Sequence, residues 1–181
     1  MPEVIVSSKW AHHLFACSVD YIARICHGRC CEGSGKILVS LLPEEATLYE
    51  AMGYVVRAGL LQPSTLTGKC PLKLPTGLCA VHGPVLQPFG CIASPFTMNK
   101  ADTLIVRYRY SRLKCHGSGR PAYKVFRPSL DLIFGIAEAV RICGELDKDN
   151  GDVRALMPRT SYEKLRYLDG LKKEVPCQAS K

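Results

Sequence analysis

Residues 26–31 read CHGRCC, and this stretch decides how the rest of the 181-residue chain is interpreted. Three of its six side chains are thiols, and the glycine at position 28 lets the backbone turn tightly between them. Thiolates bind soft and borderline metals well, and three within six residues can close on one ion with little loss of loop entropy. The stretch therefore predicts a metal site and makes the other cysteines of the chain candidate ligands.

Four more cysteines lie beside or close to glycine or proline further along the chain. Small residues around a thiolate leave backbone N–H groups available to donate to sulfur, as iron–sulfur sites require. The candidate metal ligands are Cys26, Cys30, Cys31, Cys70, Cys79, Cys91 and Cys115. Candidates for completing the site or contacting its ligands are His27, His82, His116 and Cys17. The alternative for each histidine is a polar loop residue with no role at the metal.

The ten cysteines also allow a disulfide framework or a set of unrelated core thiols. Disulfides need an oxidising compartment, but residues 1–15 contain Glu3, Lys9 and two histidines where a secretory signal has an unbroken apolar segment. The most apolar run, residues 130–140, carries Asp131 and Glu138 and does not resemble a membrane span. We therefore expect a cytoplasmic protein without a membrane segment, in which clustered cysteines favour metal.

A second argument for metal comes from residues 60–100, which are rich in proline and glycine and include three of the candidate cysteines. About forty residues with little regular structure are unusual inside a compact domain. Bonds from thiolates to a metal can organise such a loop because they replace the core that it lacks.

Periodic patterns outside this loop predict an α+β fold: a small single domain with three or four helices, a minor β-sheet and a metal-stabilised cysteine-rich irregular region. The predicted strands are residues 36–40 and 103–110. The predicted helices are residues 18–26, a segment beginning at Pro43 that buries Leu48, Met52 and Val55, residues 130–146, and a last helix that begins at the Thr160/Glu163 capping box. The best helix, residues 130–146, places Leu132, Ile136, Ala139, Val140 and Cys143 on one side.

The chain divides by composition into three parts. Residues 1–127 form the cysteine-cluster metal-binding part with a basic strand, residues 128–175 a helical part packed on it, and residues 176–181 a tail.

The net charge of +8 is concentrated in the second half of the chain. Seven cations fall in a stretch with no acidic residue: Arg107, Arg109, Arg112, Lys114, Arg120, Lys124 and Arg127. Such a field attracts polyanions, so these residues are candidate contacts to nucleic acid or to a larger acidic assembly. The alternative is a solvated strand face whose cations offset the thiolates. No pattern in the sequence indicates an oligomeric state.

The order of these motifs resembles the YkgJ-type cysteine-cluster family, described by a CxxCxxCC motif as a zinc- or iron-chelating domain. The matching elements, spread over roughly residues 17–120, are the cysteines of CHGRCC, a short strand followed by PEE at 43–45, CPL at 70–72, GLCAVH at 77–82, PFGC at 88–91 and CHGSG at 115–119. The chain departs from the family in having three residues between Cys26 and Cys30, Gln87 before Pro88, and His82 where tyrosine is usual.

The resemblance implies that the site holds zinc or a [4Fe–4S] cluster, and the donor set alone does not distinguish them. We expect an accessory or structural metal-binding protein whose basic surface meets a partner. Two alternatives stay open. One is an iron–sulfur enzyme of methyl transfer or redox chemistry, since flagellin lysine N-methylases share the cysteine pattern. The other is a nucleic-acid-associated or assembly component.

Overall fold

The computed structural model describes residues 1–31, 39–82, 85–107, 110, 115 and 117–174. The predicted α+β class is confirmed, but the described residues contain seven α-helices, more than the three or four predicted. The strands are β1 Glu3–Val6, β2 Leu14–Phe15, β3 Val39–Ser40, β4 Val56–Arg57, β5 Leu60–Leu61, β6 Phe96–Met98, β7 Thr103–Val106, β8 Arg120–Pro121 and β9 Val153–Leu156. The helices are α1 Val19–Tyr21, α2 Pro43–Ala51, α3 Phe89–Ala93, α4 Ala122–Val125, α5 Arg127–Phe134, α6 Ile136–Asp147 and α7 Arg159–Glu174.

The largest sheet has the strand order β6-β7-β1-β9. β1 runs parallel to β7 and antiparallel to β9, so a strand from the end of the chain lies beside the first one. Val4 and Val6 are buried while Glu3 and Ile5 are exposed, which is the alternation expected of a sheet with one face on a core.

The larger core lies between this sheet and the helices α5, α6 and α7. It includes an aromatic group in which the ring of Phe96 contacts Trp10 and Phe126 at centroid distances of 4.7 and 6.2 Å. Leu104, Leu130, Ile133, Ile142, Leu146 and Met157 are fully buried around it.

The predicted single helix over residues 130–146 is wrong in two respects. Gly135, at φ 81°, separates α5 from α6, because a left-handed backbone conformation interrupts the helix. The interruption also rotates the buried face, so that Ala139, Ile142 and Leu146 point inward. Ile136 and Val140, which were expected on that face, are exposed.

The smaller core is formed by Val39, Leu41, Tyr49, Leu61 and Leu72. It lies between the three-stranded sheet β3-β5-β4 and α2. α2 begins at Pro43 as predicted, but Leu48, Met52 and Val55 are exposed, and Tyr49 is the buried residue of the helix. Cys70, Cys79 and Cys91 pack against this core.

Within the part of the chain that the structure describes, no helix combines the length and the apolar character needed to cross a bilayer.

Candidate metal centre

The CHGRCC segment consists of short turns. After α1, a π-helical turn over Ile22–Cys26 ends where the His27 N–H donates to the Ile22 carbonyl at 2.7 Å. His27 and Gly28 then both adopt positive φ, and a 3₁₀ turn over Arg29–Cys31 follows, with the Cys31 N–H bonded to the Gly28 carbonyl at 2.8 Å. The predicted apolar face of residues 18–26 is not buried, since Val19 and Ile25 are exposed.

Cys70 and Cys79 each begin a tight turn of the same kind. The Lys73 N–H bonds to the Cys70 carbonyl at 3.1 Å, and the His82 N–H bonds to the Cys79 carbonyl at 3.3 Å. In both turns the N–H two residues after the cysteine donates to its sulfur, from Leu72 and from Val81. Such donors stabilise a thiolate, as metal-binding thiolates require.

The two turns face each other across a short hairpin. Lys73 and Cys79 form an antiparallel bridge, and the Leu74 N–H bonds to the Leu78 carbonyl at 2.8 Å. Leu72 anchors the hairpin in the smaller core, where it is 2% exposed. The loop predicted to lack regular structure is therefore held by short-range hydrogen bonds around its two cysteines.

Cys91 is placed by α3, whose first turn is tied to α2. The carboxylate of Glu45 accepts the Leu42 N–H at 2.8 Å and the Phe89 N–H at 2.6 Å. One side chain thus fixes the starts of both helices and sets the position of Cys91 relative to the smaller core.

The CHGRCC segment and the hairpin meet at two glycines. A Cβ on Gly28 would lie 2.3 Å from the Gly77 carbonyl oxygen, and a Cβ on Gly77 would lie 2.5 Å from the His27 Cα. These distances are too short for any side chain, so only glycine permits the two backbones to touch. This contact brings Cys31 towards the cysteines of the hairpin.

Four thiols, those of Cys31, Cys70, Cys79 and Cys91, lie close enough for their charges to interact. Burial raises the pKa of Cys70, Cys79 and Cys91, and the charge of Cys31 raises all three pKa values further. Together they offer four sulfur donors, which is the number that a zinc ion or a [4Fe–4S] cluster takes. Over the described ranges, however, no three His, Cys, Asp or Glu side chains are grouped so that they could hold an ion.

A second group of cysteines lies on the larger core. The thiol of Cys17 is hydrogen-bonded to Cys115, and the charges of Cys26 and Cys31 also act on Cys17. Cys115 is buried in the larger core, and Cys30 packs against that core with its sulfur 4.0 Å from the sulfur of Cys31.

The two described candidate histidines, His27 and His82, are exposed. His116 lies outside the described residues, as do Arg109, Arg112, Lys114 and the tail 176–181.

Three of the four described members of the basic stretch are paired with carboxylates. Arg107 is only 15% exposed; its Nε donates to the Phe96 carbonyl at 3.0 Å and its guanidinium lies 3.6 Å from Asp169. Lys124 pairs with Asp147 at 2.9 Å and Arg127 with Asp131 at 2.6 Å. Arg120 is exposed in β8. These pairs reduce the positive field expected from the sequence, so the described residues do not favour a polyanion partner.

Sequence reasoning missed Gly77 and Glu45. Glu45 accepts the Leu42 N–H at the start of α2, but Leu42 has no side-chain acceptor and so gives no capping-box signal, and the second bond of Glu45, to Phe89, joins segments far apart in the chain. The role of Gly77 has no local signal because its constraint comes from the backbone of His27.

The chain matches no model of a known protein family, no curated protein and no solved structure. The resemblance to the YkgJ-type family therefore stays a prediction from the motifs.

Proposed function

We propose that this chain is a metal-binding cysteine-cluster protein in which Cys31, Cys70, Cys79 and Cys91 hold a zinc ion or a [4Fe–4S] cluster. The role proposed for the metal is structural: it links the CHGRCC segment, the hairpin and α3. The observation that carries the proposal is the pair of identical turns at Cys70 and Cys79, each with a backbone N–H directed at sulfur.

The electrostatics of the four thiols support a cation among them. Burial and neighbouring thiolates, Cys31 among them, raise the pKa values of Cys70, Cys79 and Cys91, so four thiolates would repel strongly without a compensating charge. A metal supplies that charge and displaces the thiol protons as it binds. The residues of the chain contribute the sulfur donors, the N–H groups of Leu72 and Val81, and the glycine contact that brings the segments together.

Metal analysis of anaerobically purified protein tests this proposal. We expect either colourless protein with stoichiometric zinc or brown protein with iron and acid-labile sulfide. Zinc would favour the structural role, and an iron–sulfur cluster would reopen the enzymatic alternative of redox or methyl-transfer chemistry.

Substitution of cysteine identifies the ligands. Cys70→Ser should abolish stoichiometric binding, because serine replaces a thiolate donor on a preformed turn. Cys143→Ser is the matched control: Cys143 lies on α6, where its thiol faces the Tyr123 carbonyl at 3.9 Å, and its loss should leave the metal content unchanged. Metal-free wild-type protein, or equal metal in both variants, would contradict the proposal.

A further inference from the structure

The pairing of β2 with β8 brings together two cysteines that are far apart in the sequence. Phe15 lies opposite Arg120, and the Gly117 N–H donates to the Leu14 carbonyl at 3.1 Å. A Cβ on Gly119 would lie 2.2 Å from the Phe15 carbonyl oxygen, so the two backbones touch here. Cys17 follows one strand and Cys115 precedes the other, and their thiols are hydrogen-bonded.

We propose that Cys17 and Cys115 form a reversible dithiol–disulfide pair, distinct from the four sulfurs of the proposed metal site. Two observations support this assignment. Cys17 is exposed, so a solvent-borne reagent can reach one member of the pair. Cys115 is 5% exposed and lies in the larger core, whereas Cys70, Cys79 and Cys91 pack on the smaller one.

The hydrogen bond shifts the pKa values of the two thiols in opposite directions. The Cys17 thiol lowers the pKa of Cys115 to about 7, and the Ala16 N–H, which also donates to the Cys115 sulfur, acts in the same direction. The same hydrogen bond raises the pKa of Cys17. The hydrogen bond therefore keeps the two sulfurs within reach of each other, as closure of a disulfide requires.

The reaction that fits this pair is exchange with a low-molecular-weight disulfide, which serves as the oxidant. The proton of the Cys17 thiol passes along the hydrogen bond to the Cys115 sulfur, and the exposed Cys17 sulfur attacks the reagent; a mixed disulfide forms and one small thiolate leaves. The Cys115 sulfur then attacks the Cys17 sulfur, which closes the protein disulfide and expels the second small thiolate. The proton held by the pair passes to one leaving thiolate, solvent protonates the other, and the small disulfide is reduced as the protein pair is oxidised.

The test is an equilibration of the full-length protein, as purified anaerobically, with glutathione buffers of graded oxidised-to-reduced ratio. After acid quenching and alkylation, peptide mapping by mass spectrometry measures the Cys17–Cys115 cross-linked peptide. We expect the cross-link to rise with the oxidised fraction, to reverse when reduced glutathione is added, and to leave the metal content unchanged. Cys17→Ser, at an exposed site, should abolish it, and Cys143→Ser should not.

Three outcomes would overturn the proposal: both thiols remaining alkylatable at every ratio, a stable glutathione adduct at Cys17 with no cross-link, or a cross-link that appears only after a chelator removes the metal. The last outcome, or a loss of metal in Cys17→Ser, would assign the two thiols to the metal site instead. The cross-link is measured whether or not metal is bound, so this inference and the proposed function can fail independently.

Discussion

The two cores of this molecule are held together in different ways. The larger core joins a four-stranded sheet to three helices and buries aromatic and aliphatic side chains from both ends of the chain. The smaller core has five buried residues between strands of two residues each, with three cysteines on its border. Small apolar clusters supply little stability, and metals or disulfides commonly supplement them. The position of the cysteines therefore coincides with the region whose own packing is weakest.

The proposed metal and the apolar side chains would therefore stabilise separate parts of the fold. A chain with only the larger core would still bury a sheet against helices, whereas the hairpin at residues 70–82 has Leu72 as its one fully buried apolar anchor among the described residues. The predictions below test this division.

Removing the metal should have the largest effect, and the effect should be local. Structural zinc sites contribute apparent binding free energies of about 10–16 kcal/mol, and here that energy would hold the hairpin, α3 and the CHGRCC segment. Hydrogen exchange measured by mass spectrometry before and after chelation should show loss of protection over residues 62–82 and retained protection in β1, β7 and α6. Uniform loss across the chain, or none, would contradict the division into two cores.

Truncation in the larger core should lower stability without affecting the metal. Phe96→Ala removes a fully buried ring that contacts Trp10 and Phe126, and it should reduce the free energy of unfolding by about 3–5 kcal/mol. Denaturant unfolding measures the loss, and a competition assay with a chromogenic chelator measures metal affinity. Leu72→Ala in the hairpin is the counterpart and should weaken metal binding. If Phe96→Ala weakens it equally, the two regions are not independent.

The glycine contact between CHGRCC and the hairpin offers a controlled comparison. Gly77 and Gly53 share φ 86°, but a Cβ on Gly77 would meet the His27 backbone, while a Cβ on Gly53 would meet nothing within 4 Å. Both alanine variants incur the left-handed strain of about 1–3 kcal/mol, and only Gly77→Ala adds a backbone collision. We expect a lower thermal unfolding midpoint and weaker metal binding for Gly77→Ala than for Gly53→Ala. Equal behaviour would mean that the contact does not position the cysteines.

The sequence predicted the fold class, the start of α2 and the strand at residues 103–106 because these follow from local patterns. The sequence pattern predicted an unbroken helix across Gly135, since a single glycine in a periodic apolar run does not reveal its backbone angle. The sequence pattern also predicted that Leu48 is buried and that Arg107 is exposed. These predictions were wrong because Tyr49 is the α2 residue that packs in the smaller core, and because Arg107 forms an ion pair with Asp169 on α7.

The candidate site was predictable only as a list of cysteines. Motif spacing identified the thiols, but their division between two cores depends on strand pairing and on backbone contacts at Gly77 and Gly119. Such contacts join residues fifty to a hundred positions apart, and local periodicity carries no information about them.

The smallest predicted effect concerns Glu45, which joins the start of α2 to the start of α3. Burial raises its pKa above the ordinary 4.5, although the N–H groups of Phe89 and Leu42 oppose the shift. The native state therefore binds more protons than the unfolded state above pH 4.5, and stability falls as pH rises through the folded pKa. Glu45→Gln removes this titration and turns an amide NH₂ towards one donor, at a cost of about 1–3 kcal/mol.

The free energy of unfolding measured against pH should separate the contribution of the buried Glu45 charge from that of its two hydrogen bonds. The advantage of the wild type over Glu45→Gln should be widest below pH 4.5 and should narrow as the pH rises, because only the wild type has to ionise a buried carboxyl. Glu44→Gln removes the same charge from the exposed side of the same helical turn and keeps both hydrogen bonds of Glu45. That variant should retain most of the wild-type pH dependence, because burial contributes more than the Glu44 charge to the raised pKa of Glu45. If the difference in free energy of unfolding between wild type and Glu45→Gln stays constant with pH, the hydrogen bonds of Glu45 account for its whole effect. Ionisation of the buried carboxyl would then contribute nothing to the link between α2 and α3.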